Sequence, residues 1–205
     1  WKNCNNKMIN IDKLGKLILA SKSPRREEIL KKMNLNFKII PSDAVEDLDK
    51  TSPSVFVKKC ASKKAKAVSL SNRHNYVIGA DTVVVLRGEL LEKPRNPSES
   101  RKMLRMLSGQ IHKVYTGVSI QNADKDISRS FFCITKVELN DYSKDVIDFY
   151  IKNYKPFDKA GSYGIQDWFS SQVKKIDGCY YNVMGLPLSK VFKCLYDLSM
   201  NNLDS

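Results

Sequence analysis

The sequence predicts an α/β fold with a mixed sheet, and two patterns carry that prediction. Short apolar runs of strand length alternate with stretches of helical periodicity. One adjacent pair of runs, Val114 to Ile120 and Phe131 to Leu139, brackets a polar turn at Asn122 to Asp126, as an antiparallel hairpin does. The length of 205 residues suits one domain, or two small lobes sharing one core.

Residues 1–16 are polar and rich in Asn and Lys, and are expected to be a loose leader to a domain over residues 17–205. Leu17 to Ala20 reads as a buried strand. Ser23-Pro24 then opens a helix, with Ser23 as the cap, Pro24 at the first helical position and Ile29, Leu30 and Met33 on the inner face. Phe37 to Pro41 is a second strand, leading into the acidic loop Asp43 to Asp49. A helix over about Pro53 to Leu70 carries the stripe Val57, Cys60, Ala61, Ala65 and Val68. Tyr76 to Leu86 is almost continuously apolar, as a buried strand requires. Asn96-Pro97-Ser98-Glu99 has capping-box spacing before a helix that continues through Met103, Leu104 and Leu107 to Gly109. After the hairpin come a helix around Val146 to Ile151, a glycine-containing loop from Asp158 to Gln166, and a strand near Val173 to Ile176. A final helix follows Gly185-Leu186-Pro187.

Composition narrows the function. No run approaches the roughly 20 apolar residues that cross a bilayer, and the N-terminus shows no secretory pattern. The chain opens on Trp rather than Met, as a trimmed chain does, which leaves room for a removed targeting segment. Five scattered cysteines without a C-x-x-C pair argue against a disulfide framework and for a reducing, cytoplasmic setting. Two histidines rule out a His-rich metal site. The net charge of +13 raises the question of nucleic acid, but the basic residues are spread over almost every segment, which reads as a solvated Lys-rich surface.

Some residues resist a purely structural reading. Asp81 interrupts the apolar strand, where an ionised carboxylate costs several kcal/mol unless it is paired or bound to a metal. Lys64 falls on the inward stripe of its helix and either snorkels outward or reaches in toward phosphate oxygens. Arg25 and Arg26 sit in a first helical turn, against the helix dipole, which suggests an anion there. Lys93 and Glu46 are weaker signals, the first on a turn near the Asp81 strand and the second in an acidic loop. Together they offer carboxylates for a divalent metal and cations for a polyphosphate, the makings of phosphoryl chemistry.

These residues also carry a family resemblance. Leu17 to Leu30 (LILASKSPRREEIL) resembles the opening signature of the Maf family. So do Gly79-Ala80-Asp81-Thr82, Glu92-Lys93-Pro94-Arg95, Met103-Leu104 through Gly109-Gln110 and His112, Asp158 to Gln166, and Val183 to Leu188, in order from about Leu17 to Leu195. The resemblance implies an elongated mixed sheet with a central cleft, related to the inosine triphosphate pyrophosphatases and often dimeric. It implies hydrolysis of a nucleoside triphosphate to the monophosphate and pyrophosphate with Mg²⁺ or Mn²⁺. Carried over by position, Asp81 matches the active-site acid and Glu46 a second carboxylate near the metal. Arg26, Lys64 and Lys93 match phosphate-handling cations, with Lys93 counted as catalytic, and Ser23 belongs to the same substrate-binding turn. Arg25, Thr82 and Gln166 match the specificity positions of the dTTP/UTP branch; a 7-methyl-GTP branch carries Trp, Gln and Glu there. Val45 stands where the family often has Asp, and Asp167-Trp168 follows Gln166 where Gly is usual, beside the expected base pocket. The rival readings are the same reaction on 7-methyl-GTP or CTP, another phosphatase chemistry, or a protein that binds nucleic acid or a cell-division partner. The last gives no reason for a carboxylate inside a strand.

Overall fold

A computed structural model describes residues 10–44 and 51–201. Its elements are β1 (Leu17–Leu19), α1 (Pro24–Lys31), β2 (Phe37–Ile39), α2 (Pro53–Ser71), β3 (Val77–Leu86), β4 (Glu89–Leu91), α3 (Pro97–Leu107), β5 (Ile111–Asn122), β6 (Ile127–Leu139), α4 (Lys144–Tyr154), β7 (Val173–Asp177), α5 (Tyr180–Met184) and α6 (Leu188–Asn201). The strands form one sheet in the order β2-β1-β3-β5-β6-β7, with β4 paired to β3 off that path. β1 runs parallel to β2 and β3, and every other pairing is antiparallel. The expected mixed α/β sheet is therefore present.

Strand alternation divides the side chains of β3 between two layers. Ile78, Ala80 and Val84 join the large core that also holds Ile29, Leu104, Val118 and Leu195. Val83 and Val85 pack on the other face, against Phe56, Val57 and Cys60 of α2. All five residues of the expected α2 stripe are buried.

α2 approaches the sheet at two glycines. A Cβ on Gly79 would lie 2.4 Å from the Ala61 carbonyl oxygen, and one on Gly117 would lie 2.2 Å from that of Val57. Helix backbone thus rests on strand backbone, and Gly117 pairs directly with Asp81 across β5 and β3. The same contact brings Lys64, two helical turns beyond Val57, over Asp81.

The sheet also has a gap. β1 pairs with β3 only at Val77 and Ile78, and β4 begins to pair at Val84. Between them, residues 79–83 of β3 have β5 on one side and, among the described residues, no strand on the other.

Some expectations are corrected in detail. Residues 10–14 form a 3₁₀ turn with Ile11 and Leu14 buried in the main core, so this stretch packs with the domain; two apolar residues sufficed where the polar composition suggested solvent. Ser23 occupies the cap position without a capping hydrogen bond from its side chain. At α3, Asn96 accepts from the Glu99 N–H, but the Glu99 carboxylate reaches back to the Arg95 N–H, one residue before the cap. The hairpin strands run further than their apolar centres, through polar ends that pair as far as Asn122 and Ile127. β4 was missed because its two-residue turn is Arg87-Gly88, with φ of 50° and 88°, and lacks the Asn-Gly or Asp-Gly signature. α5 is too short to show periodicity and ends at Gly185 in the left-handed region.

His112 on β5 is buried and its Nε2 lies 2.7 Å from the Tyr163 hydroxyl. Nδ1 has no hydrogen-bond partner among the described residues. Burial pushes the imidazole down from its ordinary 6.5 to about 4. The folded protein therefore keeps His112 neutral while the unfolded chain takes up a proton below 6.5. This contribution to stability is intact above that value and is lost as pH falls toward 4, by up to about 3 kcal/mol. His112→Asn is expected to flatten the difference in unfolding free energy between neutral and mildly acid pH, read by urea titration; an unaltered slope contradicts this account. Gly117→Ala is expected to destabilise by about 3 kcal/mol in the same titration, because the new methyl meets helix backbone. A neutral effect would mean that α2 does not rest on the strand as described.

Candidate functional site

The gap in the sheet opens into a cleft of about 380 Å³. Its walls are the turn from β1 into α1, the exposed stretch of β3, Lys64 on α2, Lys93 after β4, the loop after α4 and the end of α5. The charge of this lining decides what it can hold. Lys22, Arg25, Arg26, Lys64, Lys93 and Lys159 line it, against two carboxylates, Asp81 and Asp158. Four positive charges in excess in a cleft this small favour a polyanion.

Asp81 and Lys64 meet at 2.7 Å, with side chains 8% and 16% exposed. This resolves both sequence anomalies at once, since each buried charge offsets the other's desolvation. Lys64 therefore points inward, to Asp81, and does not snorkel to solvent.

Arg26 is a three-way tie. Its Nε donates to the Gly185 carbonyl at 2.9 Å, and its terminal nitrogens donate to Ser21 Oγ and Thr82 Oγ1, both at 3.1 Å. One guanidinium thus joins the end of β1, the open stretch of β3 and the end of α5. Thr82 Oγ1 also lies 3.0 Å from Thr116 Oγ1, so the threonine is set on the face of β3 opposite Asp81. Ser23 lines the cleft, and its N–H donates to Ser21 Oγ. Lys93 lines the cleft with an exposed side chain. Glu46, the expected second carboxylate, lies outside the described residues, as does Val45.

Arg25 reaches across the cleft to Asp158, at 2.7 Å from the carboxylate and 3.4 Å from the backbone carbonyl. Lys159 donates to the other carboxylate oxygen at 2.8 Å. Burial works against ionisation of Asp158, but the hydrogen bonds from Lys159 and Arg25 win and hold it down to about 2. Gln166 is exposed and lies just outside the lining, next to Gly164 and Ile165, which belong to it. Its Nε2 donates to Glu28 Oε2 at 2.8 Å.

Lys22, Lys159, Asp158 and Glu28 were not singled out by sequence reasoning. Asp158 and Lys159 sit in a polar loop where a charged pair looks solvated, and only their contact across the chain with α1 reveals a role. Asp167 and Trp168, expected beside a base pocket, are occupied elsewhere. Asp167 accepts from Tyr150 Oη and the Phe169 N–H, and Trp168 packs among Phe149, Tyr150 and Tyr154.

The cleft can be tested for a metal by its donors. Among the described residues no cluster of three or more His, Cys, Asp or Glu could cage an ion. Mg²⁺ is commonly held by one or two carboxylates together with substrate phosphates, and Asp81 supplies such a carboxylate beside the cations that line the cleft. The residues present fit an ion shared with substrate, not a cage of protein ligands alone. No helix among the described residues is long and apolar enough to cross a membrane.

Comparison with known proteins is consistent with this geometry. The family model described as Maf-like protein matches residues 16–198. A protein of Thermosipho africanus named dTTP/UTP pyrophosphatase is 45% identical over 185 residues, covering 90% of this chain and 94% of its own length. Proteins of the same name from Carboxydothermus hydrogenoformans and Bacillus cereus are 42% and 43% identical, covering 87% and 93% of this chain and 96% and 98% of their own. Among solved structures, the Ham1 protein of Staphylococcus aureus matches 62% of this chain and 72% of its own at 17% identity and a TM-score of 0.43, too slight a likeness to carry an argument.

Proposed function

We propose, for a chain that belongs to the Maf family, that it hydrolyses dTTP and UTP to the monophosphate and pyrophosphate. Curated relatives of that name align over most of this chain and most of their own length. The structural observation that supports the reading is Asp81: a buried carboxylate, paired with Lys64, in a cleft whose charge suits a triphosphate.

In this reading the phosphates lie along Lys64, Lys93 and the α1 turn, with Arg26 holding the wall against them. Asp81 orients a water toward the α-phosphorus and accepts its proton as the oxygen attacks. The α–β bridging oxygen leaves with pyrophosphate, whose charge Lys93 and the neighbouring cations neutralise. Lys64 keeps the carboxylate aimed into the cleft throughout. A divalent cation such as Mg²⁺ or Mn²⁺, held by Asp81 and Glu46, would neutralise phosphate charge when bound. Ser23 would contribute to the phosphate-binding turn, and Arg25, Thr82 and Gln166 would read the base, the amide offering a donor and an acceptor to a pyrimidine edge. The free cysteines among the described residues suit a cytoplasmic setting.

The test is pyrophosphate release from dTTP, UTP, CTP, GTP, 7-methyl-GTP and ITP with Mg²⁺ or Mn²⁺, with Asp81→Asn alongside. Release from dTTP and UTP is expected, falling at least about 100-fold in the variant while its thermal midpoint is maintained. Release from a purine nucleotide alone would overturn the base assignment. Near-normal turnover by Asp81→Asn would overturn its role.

A further inference from the structure

Two hydrogen bonds join the mouth of the cleft in a reciprocal pattern. Arg25 and Glu28 stand three residues apart on α1 and so share one helical face. Asp158 and Gln166 stand at the two ends of the facing loop. The helix donates to the loop through Arg25 and Asp158, and the loop donates to the helix through Gln166 and Glu28. Each base-reading side chain is thus held by a carboxylate from the opposite segment.

The chemistry of the second pair is directional. A carboxylate only accepts hydrogen bonds, so Glu28 Oε2 must meet the amide nitrogen of Gln166, as it does at 2.8 Å. The other Glu28 oxygen faces Lys32 at 3.8 Å, which leaves Oε2 to the glutamine. Rotating the amide by half a turn would set its carbonyl oxygen against that carboxylate. Glu28 therefore selects one orientation, in which the Gln166 carbonyl and its second amide hydrogen are the groups left to a ligand.

That orientation discriminates between pyrimidines. Uracil and thymine present an N3–H donor beside the O4 acceptor, which match a carbonyl acceptor and an amide donor. Cytosine presents an N3 acceptor beside its N4 amino donor, and needs the amide reversed. On the reading that Gln166 meets the base, we infer that Glu28 is a positioning residue for specificity: by fixing the Gln166 amide it makes the site accept uracil or thymine and reject cytosine. A site whose polar groups are fixed discriminates more strongly than one free to adapt.

The experiment measures kcat/KM for UTP and CTP in the intact protein, in Glu28→Ala, in Gln166→Ala and in the double variant. The Glu28 side chain is 52% exposed, so its removal leaves the core intact. Glu28→Ala is expected to lower the UTP-to-CTP preference at least about five-fold, the ratio equivalent to about 1 kcal/mol. Most of that change should be a rise in KM for UTP and a fall in KM for CTP. Because Glu28 acts through Gln166, removing it in the Gln166→Ala background should leave the ratio where Gln166→Ala alone puts it. Glu28→Gln, which keeps an acceptor but can also donate, should fall between the alanine variant and the parent. A preference that moves less than two-fold in Glu28→Ala, or moves equally in both backgrounds, overturns the inference while leaving the proposed hydrolysis standing. Failure of the unaltered protein to release pyrophosphate from either pyrimidine overturns the proposed function, and this inference with it.

Discussion

Everything at the centre of this molecule depends on the contact between α2 and the sheet at Gly79 and Gly117. With no Cβ at either position, helix and strand backbones meet at a distance no other residue allows. Asp81 lies directly opposite Gly117 on the paired strand, and Lys64 lies on the face of α2 that the contact turns inward. The ion pair is therefore a product of packing. Two side chains that would each be costly to bury alone are delivered to one another by helix placement.

The second constraint is the interruption of the sheet. β1 is only three residues long and diverges after Ile78, while β4 joins at Val84. A continuous neighbour would have closed this side of β3. The break opens a cleft against the middle of a buried strand, so the Asp81 carboxylate has rigid support behind it and a positively charged wall in front. Arg26 spans the break by hydrogen-bonding three elements that no strand joins there. The α1 turn that supplies Arg26 follows directly from the end of β1, which keeps the guanidinium at the cleft floor.

Much of this was legible in the sequence because the relevant signals are local. A carboxylate inside an apolar run and a lysine on an inward stripe are anomalies within one element, and both line the cleft. The mixed sheet and its hairpin followed from run length and alternation. What was not legible depends on distant neighbours. Gly79 and Gly117 look like ordinary strand glycines until α2 is laid across them. Arg25 and Asp158 are 133 residues apart, and Glu28 and Gln166 are 138, so neither pairing leaves a spacing to read. Asp167 and Trp168 drew attention by adjacency in sequence, and their partners are Tyr150, Phe169, Phe149 and Tyr154. The burial of Ile11 and Leu14 was hidden by the polar residues around them.

The proposed hydrolysis requires the site to direct water to the α-phosphorus of a nucleoside triphosphate. The most direct measurement is hydrolysis of dTTP in water enriched in heavy oxygen, with mass spectrometry of both products. Label in the nucleoside monophosphate, with unlabelled pyrophosphate, is the predicted result. Label in pyrophosphate would place the attack at the β-phosphorus, and would contradict the role assigned to Asp81 and the cations around it.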